Sequence, residues 1–170
     1  MLSILIPTYN YNAFPLVEVL QKQAQEENIT YEIILLDDAS TDALITKKNQ
    51  AVETLENCQY HYNVKNLGRG ENRNALYQKA KHPWILFLDC DTLPTASTFI
   101  KNYIDCFKSN DASVFYGGIA YQKLKPQNSE LLRWIYGTKR EAISLKTRQK
   151  NPYQSTLVSN ILVQDRKSVV

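Results

Sequence analysis

The sequence predicts an α/β domain with a largely parallel central sheet. Two patterns carry that prediction. Short apolar runs of strand type alternate with segments whose apolar residues recur at helical spacing. One run, "YEIILLDD" at 31–38, is almost continuously apolar, as expected of a strand covered on both faces. At 170 residues the chain is long enough for one domain with a sizeable core.

Each element has its own justification. "LSILIPTY" is a β-rich apolar run ended by Pro and Asn, so strand one is expected there. Leu16, Leu20 and Ala24 then recur at helical spacing, and Pro15 suits the helix start. "YEIILLDD" is strand two, and "DASTDA" after it supplies turn and N-cap chemistry. Leu44, Ile45, Val52 and Leu55 mark a second helix, and "CQYHYNV" a weaker third strand. "NLGRGENRNALYQKA" reads as a glycine loop opening a third helix, and "WILFLDCD" as the fourth strand. Phe99, Ile100, Tyr103, Ile104 and Phe107 form one helical face, and "SVFYGGIAY" is the expected fifth strand. "SELLRWIYGTKREAISL" has the pattern of an amphipathic basic helix, for which packing on a core is the commoner outcome.

Composition narrows the function classes. No stretch approaches the ~18 apolar residues that span a bilayer, and "MLSILIPTYN" lacks the basic start and long apolar run of a signal peptide. Cys58, Cys90 and Cys106 have no paired spacing, which fits reduced thiols in a cytosolic protein. Two histidines and no CxxC or HxxxH leave little for zinc. The net charge is only +3, but residues 121–150 hold eight Lys/Arg against Glu130 and Glu141. That segment either faces an anionic substrate or a membrane surface, or is simply a solvated basic face.

The candidate chemistry lies at the strand ends. In open parallel sheets ligands bind beyond the carboxyl ends of the strands. Strand one ends in Pro7-Thr8-Tyr9-Asn10, strand two in Asp37-Asp38 and strand four in Asp89-Cys90-Asp91. Carboxylates converging there repel unless a cation or hydrogen-bond donors offset them. Hard oxygen ligands suit Mg2+ or Mn2+, which take one or two carboxylates plus substrate phosphates. Arg73 can add a charge-assisted contact, and Gly68-Arg69-Gly70 lets a phosphate or base approach the backbone. Each feature also has a plainer reading. Asp37 and Asp38 can cap a helix or order a turn, Arg73 can be a surface residue, and Tyr9 can be core. Cys90 reads as a buried spacer whose thiol pKa its flanking carboxylates raise.

Several known motifs are absent. After Gly68 and Gly70 the next glycine required by G-x-G-x-x-G is Arg73, and no G-x-x-x-x-G-K-[ST] occurs. "DCDTL" follows the fourth strand rather than the first, unlike the Asp-x-Asp of haloacid dehalogenase-like phosphatases. The early loop "IPTYNYNAF" lacks the glycines of sugar nucleotidyltransferases.

Taken together, "SILIPTYN", "EIILLDDAST", "NLGRGENRN" and "WILFLDCDTLP" resemble, in order and spacing, the inverting family 2 glycosyltransferases of the GT-A fold. The resemblance covers roughly residues 2 to 120. It implies a Rossmann-like nucleotide-diphospho-sugar-binding domain over 1–170, with a donor half at 1–120. Residues 121–170 would be the basic segment and the start of an acceptor half. It implies a nucleotide-diphospho-sugar donor, UDP-linked by preference, a glycan or lipid-linked acceptor, Mn2+ or Mg2+, and no nucleic acid. Pro7 and Tyr9 then border the nucleoside, Asp38 bonds the base, and Gly68 and Arg73 lie near the nucleotide. Asp89 faces ribose and metal, and Asp91 is the direct metal ligand. A cytoplasmic protein at the inner membrane face, touching it through 121–150, is expected. The family's general base lies in a later acidic motif. "TLVSNILVQDRKSVV" resembles the strand before that motif, and Asp165 falls too early to match, so no base is assigned and the chain reads as truncated.

Overall fold

A computed structural model describes residues 1–154 and 156–165. The final stretch of the family-like run, 166–170, lies outside them. Six strands form one sheet: β1 (Leu2–Thr8), β2 (Tyr31–Asp37), β3 (Cys58–Tyr62), β4 (Trp84–Leu88), β5 (Val114–Tyr116) and β6 (Asn160–Gln164), in the order β3-β2-β1-β4-β6-β5. β1 pairs in parallel with β2 from Leu2↔Tyr31 to Thr8↔Asp37, and with β4 from Leu2↔Trp84 to Leu5↔Phe87. β6 is the one reversed strand, wedged antiparallel between β4 and β5. The mixed α/β, mostly parallel sheet is therefore as expected, with β6 inserted between two strands that precede it in the chain.

Helices cover both faces because the strand side chains alternate. On one face Ile4, Ile6, Ile33, Leu35, Leu86 and Leu88 pack with α1 (Phe14–Glu26) and α4 (Phe99–Ser109). On the other, Leu5, Ile34, Leu36 and Ile85 pack with Leu76 of α3 (Arg69–Lys79). All seven residues of β2 are buried, as its continuous apolar run requires. Each fully buried Leu or Ile contributes roughly 1.5–3 kcal/mol.

Helix 2 departs from its apolar pattern. α2 (Ala43–Gln50) starts on Asp42, whose carboxylate accepts from the Leu44 and Ile45 N–H groups, but Leu44 is exposed. The residue α2 buries is Asn49. A 3-10 turn (Ala51–Thr54) then places Val52 in the core. The expected basic helix is broken as well. α5 (Leu131–Arg140) and α6 (Leu145–Lys150) are separate, and α5 buries only Gly137, so it is not a core-packing helix. Among the described residues no helix is long and apolar enough to cross a membrane.

The two ends of the sheet have different jobs. At the amino ends of the strands, buried Glu32 accepts from Ser3 Oγ and from the Lys81 N–H, both at 2.7 Å, tying down the turn before β4. Asp165 is at this end too. Its N–H donates to the Pro83 carbonyl at 2.7 Å and its carboxylate accepts from Tyr77 Oη at 2.9 Å. Because β6 runs antiparallel to β4, Asp165 lies at the opposite end from Asp89 and Asp91.

Candidate active site

The carboxyl ends of β1, β2 and β4 meet at the point where the sheet order turns from β3-β2-β1 to β4, which is where open α/β sheets bind ligands. Side-chain oxygens and amides weld the loops there. Asn10, in the left-handed region at φ 48°, donates its N–H to Ser40 Oγ at 2.7 Å. Its Oδ1 accepts from the Thr41 N–H at 2.8 Å. Asn49 accepts from the Ala13 N–H at 2.9 Å and donates to the Tyr11 carbonyl at 3.0 Å. These four bonds hold the loop after β1 against the loop after β2 and against α2. Pro7 is half-buried near the end of β1, and Tyr9, in the loop that follows, is 49% exposed, so Tyr9 is not core.

Both aspartates of Asp37-Asp38 are spent internally. Asp37 accepts from the Ser40 N–H at 2.8 Å and from Tyr60 Oη at 3.0 Å. The Asp38 carboxylate accepts from Asn63 Nδ2 at 2.9 Å and from the N–H groups of Leu67 and Gly68, both at 2.8 Å. Asp38 therefore shapes the loop into α3. The same bond commits the Gly68 N–H inward, so that group is not aimed at a ligand. Gly68 has φ 81° and open space where a Cβ would stand, so its role here is conformational. Asn72 completes the arrangement, accepting from Asn63 and donating to the Leu36 carbonyl. A polar residue four before buried Leu76 on α3 was the available signal for it.

Beyond β4 the charges pair differently from expectation. Arg73, one turn into α3, donates through Nη2 to Asp89 Oδ1 and through Nη1 to the Arg69 carbonyl. Protein donors thus offset Asp37 and Asp38, and the Arg73 guanidinium offsets Asp89. Asp91 is exposed and makes no hydrogen bond or ion pair among the described residues. Cys90 is half-buried, and desolvation, more than its flanking carboxylates, pushes its thiol up to about 11.

The donor set fits a hard divalent ion in a limited way. Among the described residues no three His, Cys, Asp or Glu side chains gather as a ready-made cage. One uncommitted carboxylate, Asp91, stands two residues from Asp89. The buried Nε of Arg73 has no partner. The carboxylates suit Mg2+ or Mn2+, which complete their shells with substrate phosphates, whereas the Arg73 Nε–H is a donor for an anion.

A second group of side chains, not foreseen from the sequence, stands over the same end of the sheet. β5 runs parallel to β4 and delivers residues 117–121 to that edge, where the Gly117 N–H donates to the Asn160 carbonyl at 3.2 Å. Tyr121 Oη donates to Glu141 Oε2 at 2.5 Å, and Arg133 Nη1 donates to Glu141 Oε1 at 2.7 Å. The Tyr121 ring lies against Gly137, where a Cβ would collide with it. Arg133, then Tyr121, hold the Glu141 carboxyl below its usual range. A depressed folded-state pKa gives stability that is complete above the ordinary glutamate value, 4.5, and is lost as pH falls through the lower one. Trp134 on α5 donates to the Gln122 carbonyl, so its fluorescence reports on this contact. A change in Trp134 emission below pH 4.5 is expected, absent from Glu141→Gln.

The family profile for "Glycosyl transferase family 2" matches residues 3–160, from β1 into β6. The chain belongs to this family. An uncharacterized glycosyltransferase of Haemophilus influenzae is 27% identical over 133 residues, 78% of this chain and 52% of that protein. The poly(ribitol-phosphate) beta-glucosyltransferase of Bacillus spizizenii is 31% identical over 119 residues, 68% of this chain and 18% of that protein. The chain thus spans about half the length of one curated relative and under a fifth of the other. Among solved structures, mannosyltransferase PcManGT from Pyrobaculum calidifontis, in complex with GDP-Man and Mn2+, superposes with TM-score 0.54 at 20% identity. It covers 66% of this chain and 34% of its own. S. aureus TarS in complex with UDP-GlcNAc gives 0.53 at 22%, covering 74% and 37%. At such identity the likeness speaks for the fold, and this family 2 chain has the GT-A fold.

Proposed function

We propose that this family 2 chain holds the donor site of an inverting glycosyltransferase that moves a sugar from a nucleotide-diphospho-sugar to a glycan or lipid-linked acceptor. The observation that carries the reading is the charge arrangement at the switch point: Asp89 held by Arg73, with Asp91 uncommitted two residues on. Residues 1–120 form the donor half and 121–170 begin the acceptor half. Tyr9 and Pro7 border the nucleoside. Asp38 acts on the base mainly by shaping the loop through Gly68, since its oxygens already take three donors. Asp89 offers its second oxygen to the ribose. Asp91, with Asp89 beside it, would hold Mn2+ or Mg2+, which offsets the charge of the departing diphosphate. A base takes the proton of the acceptor hydroxyl as its oxygen attacks the anomeric carbon in line, the bond to the diphosphate breaks, and configuration inverts. A uridine donor is favoured, in keeping with the UDP-GlcNAc bound to TarS, although PcManGT carries GDP-Man.

Calorimetric titration with UDP, GDP and dTDP, with and without Mn2+, tests this. Metal-dependent binding of one nucleotide is expected, lost in Asp91→Ala. Equal binding by Asp91→Ala would overturn the assignment.

A second reading has its own observation. The base that deprotonates the acceptor is not Asp165, which lies at the far end of the sheet. On that reading residues 1–165 bind the donor, and the base comes from further chain or a partner. Sugar transfer by this chain alone would exclude it.

The basic segment supports contact with an anionic membrane surface on the cytoplasmic side. On α5, Leu132 and Tyr136 are exposed on a helix that also carries Lys139 and Arg140. Co-sedimentation with phosphatidylserine vesicles, weakening as salt rises, is the expected result. No binding at low salt would remove this part of the proposal.

A further inference from the structure

Arg133 is built into the protein as a side chain with one edge fixed and the other free. Its Nη1 is given to Glu141, which Tyr121 also holds. Its guanidinium carbon lies 5.7 Å from the centre of the Tyr121 ring. Its Nη2 and Nε make no hydrogen bond among the described residues, and the side chain is 62% exposed. Three supports for one exposed arginine exceed what a solvated surface cation needs. Arg148 adds rigidity nearby, lying 4.9 Å over the Tyr116 ring and donating to the Tyr116, Gly117 and Ile143 carbonyls.

Position along the crevice gives the fixed arginine a use. The strand ends run in the order β2, β1, β4, β6, β5. Asp38 is at the first, Tyr9 at the second, and Asp89 and Asp91 at the third. Tyr121, delivered by β5, stands past Asp91 in that order, and α5 rests on it through Gly137. Asp91 lies within electrostatic reach of both Tyr121 and Arg133. A nucleotide with its base toward β2 directs its far phosphate toward this wall.

We propose that Arg133, braced by Glu141 and Tyr121, is the contact for the distal phosphate of the bound nucleoside diphosphate, facing it from the side opposite the nucleoside. The inference rests on the donor-site reading above. A guanidinium with a free edge of two N–H groups matches a phosphate oxygen pair. Glu141 is a positioning residue: it aims Arg133 and touches no substrate. The basic segment is thereby tied to the diphosphate end of the donor as well as to the acceptor side.

The test compares UDP with UMP, GDP with GMP and dTDP with dTMP, titrated in Mn2+ against wild type, Arg133→Gln, Arg133→Lys and Glu141→Gln. Arg133→Gln keeps a donor for Glu141 while removing the charge, and its melting temperature checks the fold. The diphosphate that binds wild type is expected to bind Arg133→Gln about ten- to a hundredfold more weakly. Its monophosphate should change by less than about twofold, because the distal phosphate is the one contacted. Arg133→Lys restores part of the loss, and Glu141→Gln weakens the diphosphate severalfold with the charge still present. Unchanged diphosphate affinity, or equal losses for both nucleotides, would overturn the proposal while leaving the donor site standing. If no nucleotide binds wild type, the donor-site reading fails and takes this inference with it.

Discussion

Asp38→Ala is expected to destabilise the protein by about 3–4 kcal/mol and to weaken nucleotide binding in the protein that remains folded. Three donors lose this acceptor at once: the Leu67 and Gly68 N–H groups and the Asn63 amide, of which Gly68 keeps Asn66 Oδ1 and Asn63 keeps Asn72 Oδ1. The carboxylate is 4% exposed, so no solvent is at hand to replace it. An unmet buried donor costs roughly 1–3 kcal/mol, and part of the loop can turn to water, which sets the total below the simple sum. A urea melt should show the midpoint falling by about 1–2 M. Asp38→Asn should lose less, since one oxygen survives, but its amide now meets a donor. If Asp38→Ala melted like wild type yet bound no nucleotide, the residue would be a pure ligand contact and the loop-shaping role would be wrong.

The second large effect is expected at Asn49→Ala, about 2–3 kcal/mol. Asn49 is fully buried on α2 and bridges the Ala13 N–H and the Tyr11 carbonyl. Ala13 is the N-cap of α1 and has no side-chain cap of its own, so Asn49 supplies to its N–H from another helix what the N3 Glu of a capping box usually would. Removing it frees the loop that carries Tyr9 and Asn10. Nucleotide affinity should therefore fall along with stability, whereas an exposed neighbour such as Lys48→Ala should change neither. Denaturant melts of both variants, followed by titration under native conditions, separate the two outcomes.

The two sites also mark where sequence reading stopped. Strands such as β2 and β4 were legible because a continuous apolar run has few other uses in a parallel sheet. α1 and α4 were legible because one apolar stripe recurs at helical spacing. α2 forms where a helix is expected, but its buried position is an asparagine, and a pattern of apolar residues cannot point to an amide that is buried for its hydrogen bonds. α5 kept its helical form but not the core contact expected of it, since a single glycine is all it buries.

At the site, the sequence alone determined which residues arrive at the carboxyl end of the sheet. Strand length and alternation leave Tyr9, Asp38, Asp89 and Asp91 no other place to go once the order of elements is set. It also determined the family, through four motifs in fixed order. Which of those carboxylates are free was decided only by the tertiary structure. Hydrogen-bond partners come from segments far apart in the chain: Asp38 meets a loop about thirty residues on, and Asp89, beyond β4, meets Arg73 of α3. The placement of β6 between β4 and β5 sends Asp165 to the wrong end and brings Tyr121, Arg133 and Glu141 over the right one. Local propensity is a property of neighbours in sequence. Charge compensation is a property of neighbours in space, and in this protein it separates Asp91 from the other acids.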